Sequence, residues 1–330
     1  MKVQAITIEN NISFNIFQTT DFISKVVNDT KKRISKFSAL GLKSIPLDKL
    51  SEKYTNPHSR FIEINGTKVH YCDQGKGPVI ILIHGVLASL QTWNSWTKTL
   101  SSYYRVIRLD LPGFGLTNPL KEDLCLESLL NFFHSFIEAL DLKEFILAGS
   151  SLGGYIAWNY AVIQKKRVKK LILIGSVGYS QNVPGIINFV NIPIIRYLAS
   201  KITPRIFIEF NVRQIYCDKS KVSDKLVDSY FELGLNSENR KVITNIFKLM
   251  KQQCKSNNLS DNIDNIETPT LLMWGKEDPW VPVKAVERWE RDLQKSKTII
   301  YDNVGHLPME ESPYRSAKDV LTFLKTEENY

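Results

Sequence analysis

Several features that would indicate other classes of protein are missing from this chain of 330 residues. Its four cysteines, Cys72, Cys125, Cys217 and Cys254, lie far apart and form no C-x-x-C pair. Their spacing gives no indication of a zinc cluster or a redox dithiol, so we expect reduced, structural thiols. No run of about 18 apolar residues occurs, which leaves no candidate for a membrane-spanning helix.

The start of the chain also lacks the apolar core of a secretory signal peptide. Glu9, Asn10, Asn11 and Asn15 interrupt its apolar side chains, whereas a signal peptide carries an apolar stretch of about 7 to 15 residues. With neither a signal core nor a membrane-spanning stretch, the sequence predicts a soluble, cytoplasmic protein.

The charge balance is basic but not concentrated. Lys and Arg number 43 against 34 Asp and Glu, which gives a formal net charge of +9. The basic residues are scattered, with short runs at Lys31-Lys32-Arg33 and Lys165-Lys166-Arg167 and no interleaved aromatic residues. A nucleic-acid-binding protein usually clusters its positive charge, so we expect no nucleic-acid partner.

Residues 1–55 form a predicted N-terminal extension. From Asp21 to Leu40, apolar residues recur at roughly helical spacing opposite several lysines, which predicts a basic amphipathic helix. Such a helix contacts a membrane surface, covers an active-site mouth or packs on its own domain, and the last of these is the commonest. The apolar residues of this segment are Phe22, Ile23, Val26, Val27, Ile34 and Phe37.

Beyond residue 60, short apolar runs typical of strands alternate with helical patterns. This alternation predicts an α/β fold with a mostly parallel central sheet and helices on both faces. The predicted strands are Phe61 to Ile64, Lys68 to Cys72, Val79 to Ile83, Val106 to Leu109, Phe145 to Leu147, Leu171 to Ile174, Thr270 to Trp274 and Thr298 to Tyr301. The predicted helices include Leu124 to Leu140, Leu152 to Ile163 and Val283 to Leu293.

The alternation stops between about residues 178 and 264, where apolar helical patterns replace the strand signals. We interpret this region as a helical cap inserted into the sheet domain. The predicted core then consists of residues 56–177 and 265–330, with the cap at 178–264.

The sharpest motif is Gly149-Ser150-Ser151-Leu152-Gly153, between a predicted strand and a predicted helix. A serine on a tight strand-to-helix turn needs small neighbours, because the turn crowds the adjacent backbone. The turn exposes the serine Oγ and leaves the Leu152 N–H free at a helix N-terminus, where its dipole favours a developing negative charge. Ser151 is therefore the candidate nucleophile.

At this point the sequence resembles the α/β-hydrolase family, over about residues 60 to 326. The resemblance is to the serine branch, similar to carboxylesterases and lipases, with flanking segments like those of haloalkane dehalogenases and epoxide hydrolases. His84-Gly85-Val86 follows a buried strand, as in the family's oxyanion loop. The resemblance implies that the backbone N–H groups of Val86 and Leu152 form the oxyanion hole.

The resemblance also assigns the orienting acid and the general base. Gly275-Lys276-Glu277-Asp278 follows a late strand, and Asp278 matches the family's acid. Some relatives carry this acid one strand earlier, but residues 175–178 contain no carboxylate. His306, after the last strand, matches the base, and the order Ser, Asp, His is the order that this fold uses.

No cofactor or metal is expected. The loop Asp110-Leu111-Pro112-Gly113-Phe114-Gly115 lacks the third glycine of a dinucleotide-binding fingerprint. No His or carboxylate pair shows metal-ligand spacing. The chemistry expected from the resemblance is that of a triad alone.

We therefore expect a serine hydrolase that cleaves small-molecule carboxylic esters with an apolar acyl or alcohol part. Thioester hydrolysis, perhydrolase activity or acyl transfer use the same triad and remain alternatives, as does a non-catalytic ligand-binding protein of the same fold. Carbon-carbon bond hydrolases are disfavoured, because residues 84–88 lack their glycine-rich, proline-containing loop. The predicted substrate contacts are Phe189, Ile194, Tyr197, Phe207 and Trp280.

Overall fold

The structure is a computed structural model that describes residues 39–183, 185–253, 256 and 259–326. Its strands are β1 (Ser59–Ile64), β2 (Thr67–Gln74), β3 (Val79–Ile83), β4 (Arg105–Leu109), β5 (Phe145–Ser150), β6 (Val168–Ile174), β7 (Thr270–Gly275) and β8 (Ser296–Tyr301). Its α-helices are α1 (Leu47–Tyr54), α2 (Asn94–Leu100), α3 (Leu126–Ala139), α4 (Leu152–Ile163), α5 (Gly185–Val190), α6 (Pro193–Ala199), α7 (Arg205–Ile215), α8 (Asp224–Leu233), α9 (Ser237–Gln253), α10 (Val286–Asp292), α11 (Pro308–Glu311) and α12 (Pro313–Lys325).

The strands form one eight-stranded sheet in the order β1-β2-β4-β3-β5-β6-β7-β8. Strand β2 runs antiparallel to both of its neighbours, and all other pairings are parallel. Every strand predicted from the sequence is present, and the predicted mostly parallel α/β sheet is confirmed. The carboxyl ends of its central parallel strands meet at one edge, where such folds place their ligands.

The hairpin between β1 and β2 turns at Asn65 and Gly66, whose φ angles are 50° and 74°. Two successive residues with positive φ are the requirement of a two-residue type I′ turn. An Asn-Gly pair meets this requirement with little strain, which is why the sequence predicts the hairpin so directly.

Strand β3 shows how the sheet divides the interior into two cores. Ile81 and Ile83 pack into the core on one face, and Ile80 and Leu82 pack into the core on the other. All four side chains are fully buried. A strand covered by helices on both faces needs a continuous apolar run, and this is the pattern that the sequence shows at β3.

Between β6 and β7 the described residues form five α-helices, α5 to α9. They lie in the region for which the sequence predicts a cap, and we call them the cap helices, or the cap. Residues 45–54 of the predicted N-terminal extension pack on this region, since Ile45 N–H donates to Leu235 O and Tyr54 OH donates to Glu232 at 2.8 Å. The amphipathic helix predicted from Asp21 to Leu40 lies almost entirely outside the described residues, which begin at residue 39.

None of the helices in the described part of the chain has the length and apolar character needed to cross a bilayer.

A buried ion pair ties β2 to the loop after β4. His70 Nδ1 lies 2.8 Å from Asp110 Oδ2, and both side chains are almost fully buried. Burial by itself lowers the pKa of His70, but the hydrogen bonds and charge interactions with Asp110 and Cys72 together outweigh it and raise that pKa to about 9. Asp110 also accepts the N–H groups of Leu90 and Leu116. This carboxylate therefore organises two loops beside the sheet.

The stability of the fold is expected to depend on pH through His70. Its folded pKa of about 9 lies above the ordinary value of 6.5, so its contribution is complete below pH 6.5 and is lost as pH rises through 9. The free energy of unfolding should fall by up to about 3 kcal/mol across this range. Urea unfolding of the wild type and of His70→Gln measures it, and the variant should lose the pH dependence.

His58→Gln is the matched control, because His58 is exposed. Its unfolding should follow the wild-type pH profile. Parallel pH profiles for wild type and His70→Gln would show that His70 holds no extra proton in the fold.

Candidate active site

Ser151 lies at the junction of β5 and α4 in a backbone conformation that is rare for residues other than glycine. Its φ is 54° and its ψ is −115°. Such a conformation costs on the order of 1–3 kcal/mol and persists only where the surrounding structure enforces it. The strained turn that the sequence predicts around Ser151 is the turn of a nucleophile elbow.

Two glycines make this turn possible because they allow backbone to approach backbone. A Cβ atom at Gly149 would lie 2.2 Å from Gly153 O, and one at Gly153 would lie 2.3 Å from Ile83 O. Both distances are far below van der Waals contact. Any side chain at either position would push α4 away from β5 or β3, and Ser151 would move with it.

Asp278 and His306 form a buried hydrogen-bonded pair at the ends of β7 and β8. His306 Nδ1 lies 2.7 Å from Asp278 Oδ2, and both side chains are almost fully buried. The other carboxylate oxygen, Asp278 Oδ1, accepts the N–H groups of Trp280 and Val281 at 2.8 and 2.9 Å. With both oxygens occupied, the carboxylate holds the imidazole in one orientation and leaves Nε2 free to accept a proton.

Gly175, at the end of β6, lies against this pair. A Cβ atom there would be 3.1 Å from Asp278 Oδ2 and 3.1 Å from His306 Nδ1, and its φ of 49° favours glycine. In some relatives the triad acid follows the strand that corresponds to β6, and in this chain that position is Gly175. The candidate acid of this chain, Asp278, follows the neighbouring strand, β7.

The oxyanion hole predicted from the sequence has two candidate donors. Among the described residues, neither Val86 N–H nor Leu152 N–H has a hydrogen-bond partner. His84 braces the loop that carries Val86. Its Nδ1 lies 2.7 Å from Gly85 O, and its Nε2 accepts Leu111 N–H at 2.9 Å. Burial lowers the pKa of His84, so it stays neutral and serves as a brace.

Ser151 Oγ is buried and has no hydrogen-bond partner among the described residues. Ser151 and His306 line the same cavity, together with Val86 from the oxyanion loop. Catalytic hydrogen bonds are often long before substrate binds. The absence of a hydrogen bond from Ser151 Oγ among the described residues is therefore compatible with the roles that the sequence predicts for Ser151 and His306.

The cavity has a volume of about 100 Å³ and is lined mainly by apolar side chains of the core and of helices α5 to α9. Of the predicted substrate contacts, Phe207 and Trp280 lie on its wall, and the rings of Trp280 and His306 are 5.9 Å apart. Phe189, Ile194 and Tyr197 are exposed on the outer surface and do not line it. The apolar residues that complete the wall include Val190, Ile202, Ile208, Val212, Ile215, Ile243, Phe247 and Leu307.

Sequence reasoning missed two glutamates that follow His306. Glu311 accepts Gly305 N–H at 2.6 Å and Cys217 N–H at 2.9 Å, so it joins the loop before His306 to the chain after α7. Glu310 accepts hydrogen bonds from Tyr216 and Tyr230, and burial raises the pKa of both glutamates. No local pattern distinguishes these glutamates from surface residues of a helix, and only their contacts show the role.

Comparison with known proteins agrees with this geometry. A family model described as the alpha/beta hydrolase fold matches residues 78–313. The chain belongs to the α/β-hydrolase family. The match extends from β3, before the oxyanion loop, to the residues that follow His306, and so contains all three triad candidates.

The proteins that resemble the chain are named for different activities. It is 27% identical to 2-hydroxy-6-oxo-6-(2'-aminophenyl)hexa-2,4-dienoic acid hydrolase of Metapseudomonas resinovorans, over 84% of this chain and 94% of that one. It is 28% identical to the monoacylglycerol lipase ABHD6 of Mus musculus, over 77% and 78%. A putative lipase from Acinetobacter baumannii superposes with a TM-score of 0.72 at 24% identity, over 85% and 96%.

Replacing Asp278 by asparagine tests the pair directly. An amide at this position favours the wrong tautomer of His306, so kcat for a p-nitrophenyl ester is expected to fall by about 10⁴. Circular dichroism and the unfolding transition should show that the variant folds.

Glu277→Gln is the matched control for that substitution. Glu277 is the exposed neighbour of Asp278 and accepts only Val304 N–H, a role that a glutamine carbonyl can fill. Its kcat should stay within a few-fold of wild type. An equal loss in both variants would mean that Asp278 has no special role.

Proposed function

We propose that this α/β-hydrolase is a serine hydrolase that cleaves small carboxylic esters through an acyl-enzyme intermediate. The observation that carries the proposal is the meeting of Ser151, at a strained strand-to-helix turn, with the Asp278–His306 pair in one apolar cavity. No single one of these elements implies acyl transfer, but their combination at the carboxyl ends of β5, β7 and β8 does.

In the proposed reaction, Ser151 Oγ attacks the ester carbonyl carbon while His306 Nε2 takes its proton. The carbonyl oxygen becomes an oxyanion that accepts the free N–H groups of Val86 and Leu152, each worth about 3 to 4 kcal/mol of transition-state stabilisation. The bond to the alcohol oxygen then breaks and His306 gives its proton to that oxygen. Water, deprotonated by His306, attacks the acyl-enzyme and releases the acid and Ser151.

The cavity supports an apolar acyl or alcohol group as the part of the ester that enters it. Phe207, Val212 and Phe247 of the cap helices line it together with Ser151. Apolar walls gain free energy only by removing apolar substrate surface from water. Relatives named monoacylglycerol lipases fit this choice of substrate. Thioesters, peracids and acyl acceptors other than water are alternatives on the same triad.

A second candidate is hydrolysis of 2-hydroxy-6-oxo-dienoic acids, which the names of several relatives favour. These substrates carry a carboxylate, which needs a cationic or strongly donating group in the site. Arg240 is the cationic side chain on the cavity wall, and it donates its two Nη groups to Lys201 O and Lys43 O. Only the buried Nε–H of Arg240, which has no hydrogen-bond partner among the described residues, remains to bind a carboxylate, and the otherwise apolar wall suits a neutral acyl group better than a dienoate.

The first experiment is labelling of the intact protein with a fluorophosphonate, in parallel with Ser151→Ala. A single adduct on Ser151, absent from the variant, is the expected result, because only an activated serine reacts. Ester turnover should fall by as much as about 10⁶ in Ser151→Ala. No adduct on the folded wild-type protein would favour a ligand-binding protein without catalysis.

The cavity is expected to set the length of the acyl chain. Ile243→Trp adds bulk to a wall residue of a cavity of about 100 Å³, so kcat/KM should fall at least tenfold for long-chain p-nitrophenyl esters and change little for the acetate. Ile163→Trp adds the same bulk on the exposed end of α4 and should leave the chain-length profile unchanged. An unaltered profile in Ile243→Trp would place the acyl chain elsewhere.

A further inference from the structure

The outer surface of the cap helices exposes an unusual number of large apolar side chains. Single exposed apolar residues are ordinary in proteins, but a contiguous group of them marks an interaction surface. We call this group the cap patch. It consists of Leu40, Leu42, Phe189, Ile192, Ile194, Tyr197, Leu198, Ile206 and Phe210.

Contacts between the segments that carry them bring the members of the cap patch near one another, since Ile206 and Phe210 share α7 with Phe207. The rings of Phe189, on α5, and Phe207, on α7, are 6.4 Å apart. Helix α6 follows α5 directly and packs against it. Gly41 lies against Thr203, with space for no Cβ atom between them, so Leu40 and Leu42 lie beside the link between α6 and α7.

The same helices are apolar on their inner side. Val190 of α5, Ala199 of α6 and Phe207 of α7 line the cavity that contains Ser151. A helix that carries apolar side chains on two opposite sides normally buries both of them. The inner side of these helices is enclosed by the core, and the outer side therefore needs a second apolar environment.

Unpaired cations border the cap patch. Among the described residues, Lys43, Arg196 and Lys201 form no ion pair with a carboxylate, whereas Arg205 and Arg213 on α7 are both paired with Glu209. Lys43 and Lys201 are neighbours in space, because their carbonyl oxygens both accept hydrogen bonds from the Arg240 guanidinium. Apolar side chains beside free cations are the combination that binds the surface of an anionic bilayer.

We propose that the cap patch docks on the surface of a bilayer that contains anionic phospholipids. Charge decides among the possible occupants. Residues 1–38 contain six Lys and Arg against three Asp and Glu, so this segment would bring further positive charge to Lys43, Arg196 and Lys201. A second copy of the chain, placed patch to patch, would do the same. An anionic phospholipid surface complements both the apolar residues and the cations.

Docking in this way places α5, α6 and α7 between the bilayer and the catalytic cavity. Their outer side chains contact lipid while their inner side chains contact the substrate site. The surface is separate from the triad, so binding to vesicles does not depend on the proposed ester hydrolysis. It extends the proposed function by giving an enzyme for apolar esters direct access to a lipid phase.

The test is cosedimentation of the full chain with vesicles of phosphatidylcholine alone and with vesicles that also contain phosphatidylglycerol. All variants carry Ser151→Ala, so that no lipid is hydrolysed and the result is independent of catalysis. The chain is expected to bind the anionic vesicles, and binding should weaken as salt is added. Ile206→Glu should weaken binding at least tenfold, because it removes an apolar contact and adds a charge that the bilayer repels.

Ile163→Glu is the matched control, since Ile163 is 62% exposed and Ile206 is 77% exposed, but Ile163 lies on α4, outside the cap patch. It should bind like the parent. In the active protein, Ile206→Glu should leave hydrolysis of a water-soluble ester unchanged. Absence of binding, or equal binding by Ile206→Glu and Ile163→Glu, would overturn the proposal.

Two further measurements test the other possible occupants of the cap patch, which are residues 1–38 and a second copy of the chain. Without vesicles, Ile206→Glu should unfold at the same temperature as Ile163→Glu, since lipid is absent from both samples. A lower unfolding temperature for Ile206→Glu alone would mean that residues 1–38 cover the cap patch, contrary to the proposal. Loss of a dimer on sedimentation of Ile206→Glu would instead assign the cap patch to a second copy of the chain.

Discussion

The backbone of Ser151 is the constraint around which the site is arranged. Its positive φ is enforced by two close approaches, of Gly149 to Gly153 and of Gly153 to Ile83, so β5, α4 and β3 must keep their present spacing. That spacing sets where Ser151 Oγ, the N-terminus of α4 and the loop after β3 stand relative to one another. The cost of the turn, on the order of 1–3 kcal/mol, is offset by the buried packing of the strands on both faces.

The position of His306 depends on the cap as well as on the sheet. His306 N–H donates to Ile215 O of α7 at 2.8 Å, and Glu311 holds both Gly305 N–H and Cys217 N–H. A movement of α7 is therefore transmitted to the loop that carries the imidazole. Because α7 also supplies cavity wall residues, filling of the cavity and the orientation of the His306 imidazole are mechanically connected.

The central strands were predictable because a strand buried on both faces leaves an uninterrupted apolar run, as at β3 and β7. Their ends were less predictable. Strand β2 extends from Thr67 to Gln74 rather than from Lys68 to Cys72, because Asp73 and Gln74 pair with β4, more than thirty residues away. Hydrogen bonding to a distant strand leaves no mark in the local sequence.

The cap illustrates the opposite case. Phe189, Ile194 and Tyr197 belong to short helices that carry apolar side chains both toward the cavity and toward the outer surface, so periodicity cannot show which side faces the substrate. The structure turns these three outward and places Phe207 on the cavity wall. The roles of Glu310 and Glu311 could not be predicted either, because the residue type alone does not show whether a glutamate is buried or exposed.

The sequence alone determined the class of fold and the turn on which Ser151 stands, because both rest on local order along the chain: apolar runs and a glycine pattern. The other two candidate triad residues, Asp278 and His306, came from the resemblance to the α/β-hydrolase family. Only the tertiary structure decided which cap side chains enclose the cavity, which remain outside, and which glutamates hold the His306 loop to the cap. These features depend on contacts between segments that are distant in sequence, and such contacts form only when the chain folds.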